Sequence, residues 1–175
     1  MGSNKPDAVA LERAREVGID VEVFERESFP DRDARDRAIG DWLADRDVDL
    51  IVLAGYMELM SDEFVARFRN RVSNVHPALL PSFPGLDAVQ QALDHGVKVT
   101  GVSVHFVDEG VDSGPIILQR AVEVPGSRQW DDLEERIHSV EHELLPRAIR
   151  LIAADRVRFD EDNPRVVSID SDPEG

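Results

Sequence analysis

The chain has 175 residues, with 20 basic side chains against 36 acidic ones and a formal net charge of −16. Its 42% hydrophobic and 32% charged content is that of a single soluble globular domain with a sizeable core, while so acidic a surface argues against nucleic acid or an anionic membrane as a partner. Cysteine is absent, which excludes disulfides, thiolate catalysis and Cys-based zinc sites.

The opening "MGSNKPDAVALERAR" has no apolar run of the signal-peptide kind, and no later stretch approaches a membrane span, so a cytoplasmic protein is expected. A first helix is predicted from Pro6 to Val17, with Ser3-Asn4 as its cap and Gly18 as its stop. Ile19–Phe24 alternates as a strand does. From Asp31 to Arg46, Ala34, Ala38, Ile39, Trp42 and Leu43 form a helical apolar stripe on a charged background. Asp49–Gly55 is a continuous apolar run, the signature of a strand buried on both faces. Ser61-Asp62-Glu63 opens a helix to about Phe68, and "RVSNV" returns as a strand. A proline-rich loop leads to a helix over Leu86–His95, closed by Gly96. Two long strands follow, Val97–Val107 and Gly114–Val124, and the polar link "DEGVDSG" predicts that they run antiparallel. A helix from Trp130 to about Ala154 completes a domain over 1–160, and residues 161–175 read as an acidic, frayed tail. Helix–strand alternation in the first half predicts an α/β fold of Rossmann-like type, its central sheet mostly parallel but partly mixed and flanked by helices. Active residues then belong at the carboxyl ends of the parallel strands.

One such end is "NVHP". Asn74 and His76 are two apart on a strand, hence on one face, and Pro77 both ends the strand and holds His76 extended. An amide N–H donor beside an imidazole suits attack on a carbonyl-like carbon: one stabilises a developing oxyanion, the other moves a proton near neutral pH. Taken alone, Asn-x-His also reads as a turn cap followed by a boundary histidine. Asp112, in "DEGVDSGP", is either a turn residue or the carboxylate that faces the imidazole, orients it and raises its pKa. Met57, Glu58, Leu59 and Met60 follow the buried strand, and taken alone their apolar members read as core. His95 and His105 read as structural. His138 and His142 share a helical face but lack a third ligand, so no metal is expected.

"AGYMELM", "NVHPALLPSFPG", "GVKVTGVSVHFVDEGVDSGPIILQ" and "VEHELLP", in this order and spacing, resemble the glycinamide ribonucleotide formyltransferases of purine synthesis. The resemblance runs from Ser3 to about Phe159 and implies formyl transfer from 10-formyltetrahydrofolate to the amine of 5-phosphoribosylglycinamide. It implies that Asn74 and His76 stabilise the tetrahedral oxyanion while Asp112 raises the pKa of His76 and relays the amine proton. Met57 to Met60 would form one wall of the folate site, with Asn74 and the run Asp108, Glu109, Gly110, Val111 and Asp112 on the other. Arg32 would pair with a carboxylate of the folate tail, and Gly85 and Glu141 would meet the ribonucleotide. The resemblance calls for no metal and admits a homodimer. Relative to the family, the opening strand and its Gly-Ser-Asn phosphate loop, about thirty residues, have no counterpart here. The expectation is a chain with encoded chemistry but without phosphate affinity and with its independent stability compromised, the alternatives being an inactive folate-binding remnant and a formyltetrahydrofolate deformylase. The deformylase differs in placing a further His where this sequence has Pro77.

Overall fold

The computed structural model describes residues 1–126 and 130–170. They fall into two compact units, one made of Met1–Asp49 with Met60–Arg67, the other of Leu50–Leu59 with the described residues from Phe68 onward.

In the first unit β1 (Gly2–Ser3) pairs in parallel with β2 (Glu22–Val23), and helix α1 (Val9–Glu16) connects them. Ser3 is therefore a strand residue and not the predicted cap. Its hydroxyl closes a local turn, accepting from the Lys5 amide and donating to the Lys5 carbonyl, both at 3.0 Å. The predicted strand Ile19–Phe24 is correspondingly short, since its partner offers only two residues to pair with. Helix α2 (Arg32–Ala44) starts where predicted, because the Asp31 carboxylate accepts from the Ala34 amide at 2.8 Å.

The most buried side of α2 is not the apolar stripe. Arg35, Asp36 and Gly40 are buried, whereas Ala34, Ala38, Ile39, Trp42 and Leu43 are half-buried. Asp36 explains this. One carboxylate oxygen takes the Arg35 guanidinium at 3.1 Å, and the other takes the Ser61 amide at 2.6 Å, just ahead of α3 (Asp62–Arg67). Burying such a pair is tolerable only because both carboxylate oxygens are occupied.

The second unit is built on a four-stranded mixed sheet, in order β3 (Ile51–Leu53), β4 (Val72–His76), β5 (Val99–Phe106), β6 (Ile116–Glu123). The pair β3–β4 is parallel, and β4–β5 and β5–β6 are antiparallel, as the polar link between the last two predicts. Helix α4 (Ala88–His95) ends at Gly96, whose φ of +67° supplies the left-handed stop. Helix α5 (Trp130–Ala153) turns Leu133, Ile137, Leu144 and Ala148 at helical spacing onto Val102, Val104 and Phe106 of β5 and Ile117 and Val122 of β6.

Alternate residues of β5 thus face the α5 core, which leaves Gly101, Ser103 and His105 for the opposite face. Past residue 160 the chain is not frayed throughout its described part. β8 (Val167–Ile169) pairs antiparallel with β7 (Val157–Phe159), and Val157, Phe159 and Val167 pack on the same core. Two alternating half-buried apolar residues, Val167 and Ile169, give this acidic segment its reason to pair. Residues 171–175 of the expected tail lie outside the described residues. Among the described residues, no helix is long and apolar enough to cross a membrane.

Candidate active site

β4 ends at His76, as Pro77 requires. Its antiparallel register with β5 sets Asn74 opposite His105 and His76 opposite Ser103. Residues opposite one another in a sheet share a face, so all four side chains leave the sheet on the side away from α5.

Onto this face comes Asp112, from the loop between β5 and β6. Its Oδ2 lies 3.3 Å from His76 Nδ1 and accepts from the Gly85 amide at 2.8 Å. Its Oδ1 lies 3.5 Å from both Asn74 Nδ2 and His105 Nε2. The loop is shaped to present this group. Asp108 Oδ1 accepts from the Gly110 amide at 3.1 Å and the Ser113 hydroxyl at 2.7 Å, while Arg165 donates to the Ser113 carbonyl at 2.8 Å. Asp112 itself has φ +49°, a left-handed turn conformation that Asp tolerates better than most residues.

Burial pushes the Asp112 carboxyl up, but it is outweighed by the bond from His105, the Gly85 amide and the charges of His76 and His105. The net effect holds the carboxyl below its ordinary value. His76 is only 5% exposed, and its Nε2 is 2.8 Å from the Phe83 carbonyl. A carbonyl only accepts, so Nε2 carries a hydrogen and Nδ1 is the nitrogen left to gain or give a proton beside Asp112. An amide N–H, a ring nitrogen open to proton exchange and an ionised carboxylate therefore converge within hydrogen-bonding reach of one another, a set that can receive a tetrahedral oxyanion and move a proton.

The remaining expected residues are placed as follows. Met57 is 75% exposed and Leu59 56% exposed, so neither belongs to the core, and Glu58 is half-buried. Val111 is exposed, and Glu109 lies 3.7 Å from Arg69. Glu141, on α5, is partly buried and 4.0 Å from His138; burial pushes its carboxyl up, with His138 and His142 pulling the other way. Arg32 and Met60 belong to the first unit, where Arg32 is exposed beside Asp33 at 3.5 Å and Met60 is half-buried.

Residues 1–149 match the family described as formyl transferase. The chain belongs to the formyl transferase family. It is 44% identical over 147 residues to the phosphoribosylglycinamide formyltransferase of Bacillus subtilis, spanning 84% of this chain and 75% of that protein. It is 41% identical over 170 residues to the trifunctional purine biosynthetic protein adenosine-3 of Bos taurus, spanning 97% of this chain and 17% of that one. The crystal structure of glycinamide ribonucleotide transformylase 1 from Symbiobacterium toebii superposes with a TM-score of 0.92 at 47% identity, covering 97% of this chain and 79% of that one.

In this formyl transferase the cluster includes a residue that strand alternation alone marks as structural. His105 is 2% exposed and touches both Asn74 and Asp112. The signal that finds it is the β4–β5 register, because any side chain directly opposite Asn74 shares its face. The Phe83 carbonyl, which fixes the His76 ring, has no side-chain signature at all.

Proposed function

We propose that the chain transfers the formyl group of 10-formyltetrahydrofolate to the amine of 5-phosphoribosylglycinamide. The convergence of Asn74, His76 and Asp112 on one face of the β4 end carries this reading, and membership of the formyl transferase family supports it.

In the reaction the amine nitrogen bonds to the formyl carbon while the carbonyl electrons move onto its oxygen. Asn74 donates an amide N–H to that oxygen, and His76, protonated at Nδ1, donates a second hydrogen. Asp112, ionised at neutral pH, takes up the proton released by the amine. The bond from the formyl carbon to folate N10 then breaks, and N10 leaves with a proton relayed through the His76–Asp112 pair. Each group acts where charge develops, and such donors act most strongly in a site that excludes water. The exposed Met57 and Leu59, with Val111, are the apolar surfaces proposed for the pterin, and Glu141 and the Gly85 backbone are proposed to meet the ribonucleotide.

The test supplies 10-formyltetrahydrofolate labelled in the formyl group, with and without the ribonucleotide. Label is expected on the ribonucleotide amine, and His76→Ala is expected to lower kcat by on the order of 10²–10³. Label released as formate at the same rate with or without the ribonucleotide, or folate binding without turnover, overturns the reading.

A further inference from the structure

We propose that His105 is a positioning residue of this site, fixing the orientation of the Asn74 amide and holding one oxygen of the Asp112 carboxylate. The inference deepens the formyl-transfer reading and rests on it for its kinetic consequences.

His105 is anchored from behind. Its Nδ1 lies 2.8 Å from the Phe106 carbonyl, which can only accept, so Nδ1 carries a hydrogen and Nε2 points into the cluster. There Nε2 is 3.4 Å from Asn74 Nδ2 and 3.5 Å from Asp112 Oδ1. A neutral ring presents a lone pair at Nε2, which accepts one N–H of the Asn74 amide. Were that amide turned over, its carbonyl oxygen would face both this lone pair and the Asp112 carboxylate, two repulsive contacts in a buried place. His105 and Asp112 together therefore select the orientation that keeps the Asn74 NH₂ inward, with its second N–H available to the reacting oxygen. A charged ring instead donates from Nε2 to Asp112 Oδ1. The charged ring thus ties the carboxylate down at Oδ1 directly, whereas the neutral ring leaves Oδ1 to the Asn74 N–H at 3.5 Å. In both forms Gly85 and His76 hold Oδ2. The titratable groups that face one another here are Asp112, His76 and His105, drawn from β4, β5 and the β5–β6 loop.

The strand itself is adjusted at this point. Val104 pairs with Leu118 but His105 pairs with Ile116, so β6 carries one extra residue opposite the step between them. A bulge of this kind bends and twists a strand locally and re-aims the side chains beside it. The pKa of Asp112 agrees with the geometry: burial raises it, and the bond from His105 is the first of the contributions that bring it below its ordinary value.

The experiment compares His105→Phe, which keeps a flat ring and removes both nitrogens, with His105→Gln, whose amide can reach the same partners. In the Phe variant kcat is expected to fall by on the order of 10-fold to 100-fold with KM for both substrates little changed. The acid limb of its pH–rate profile is expected to move to higher pH, because Asp112 loses a donor. The Gln variant is expected to recover most of the rate and the wild-type acid limb. A Phe variant with wild-type kcat and an unmoved acid limb overturns the proposal, as does a Gln variant no better than Phe. Nitrogen-15 ring signals of the wild-type chain, read across pH without substrate, decide the geometry independently of turnover and of whether a variant folds. A hydrogen held on His105 Nδ1 supports it, and the reverse tautomer overturns it. Failure of the wild type to transfer formyl overturns the functional reading and leaves the positioning of Asn74 and Asp112 to those ring signals.

Discussion

Asp112 is where the chemistry of single residues is most concentrated, since each of its two carboxylate oxygens has more than one partner. Its side chain is 14% exposed, so these contacts are only partly screened by water. The carboxyl ionises more readily in the folded chain than its ordinary value of 3.8, because the His105 bond, the Gly85 amide and the two imidazoles outweigh the cost of burial. A carboxyl depressed by folding contributes stability that is complete above the ordinary value and disappears as pH falls through the lower, folded one. Asp112→Asn is therefore expected to be less stable than wild type at neutral pH, by about 1.5–3 kcal/mol for a hydrogen-bonded charge. The gap should close as pH drops below about 4. Urea unfolding of both proteins at a series of pH values measures this, and a gap that stays constant into acid would show that the charge is not what the contacts stabilise.

At the scale of elements, β5 divides the second unit's work between its faces. Val102, Val104 and Phe106 build the core against α5, and Ser103 on the other face organises the backbone that follows β4. The Ser103 hydroxyl donates to the Ala78 carbonyl at 2.6 Å and accepts from the Leu80 amide at 3.1 Å. Gln119 of β6 adds bonds to the Leu80 carbonyl at 2.9 Å and to the same hydroxyl at 2.8 Å. Ser103 is fully buried, so Ser103→Ala strands two backbone groups, at about 1–3 kcal/mol for each buried group left unpaired. Hydrogen exchange at the Leu80 amide is expected to accelerate in this variant by far more than at the amides of α5, whereas equal acceleration everywhere would mean the clamp is not local. Much of this architecture was legible in the sequence: the strand stopped by Pro77, the polar link that pairs β5 with β6, and the residues Asn74, His76 and Asp112. What could not be read there depends on register and backbone. Nothing in "GVSVHFV" says that His105 rather than Ser103 lies opposite Asn74, and a carbonyl such as that of Phe83 is chemically the same in every residue. The pairing of Gly2–Ser3 and the buried side of α2 were hidden for a related reason. Both follow from specific partners, the β2 backbone and the Ser61 amide, that periodicity does not encode.

For the whole chain the governing quantity is charge. With 36 acidic and 20 basic side chains, at least 16 carboxylates have no basic partner even if every Lys and Arg makes one pair. Most ion pairs among the described residues involve exposed groups, such as Arg37–Glu63 and Arg67–Asp41, and exposed pairs contribute little. Two opposite responses to salt are then conceivable. Screening weakens the surface pairs, which would lower stability, and it also weakens repulsion among the excess carboxylates, which would raise it. The imbalance decides between them, since repulsion acts among many unpaired charges over distances comparable to the Debye length while each exposed pair is worth at most about 1 kcal/mol. Raising sodium chloride toward about 1 M, where the Debye length falls to about 3 Å, is expected to raise Tm at neutral pH. Each kcal/mol of relieved repulsion corresponds to about 2–4 °C in a chain of this size. Near the isoelectric point of about 4.6 the same salt step should move Tm little, because the net charge being screened has vanished. Thermal scans at the two pH values separate this from a general salting effect, which would stabilise the chain equally at both, and a fall in Tm at neutral pH would mean that the surface pairs outweigh the excess charge.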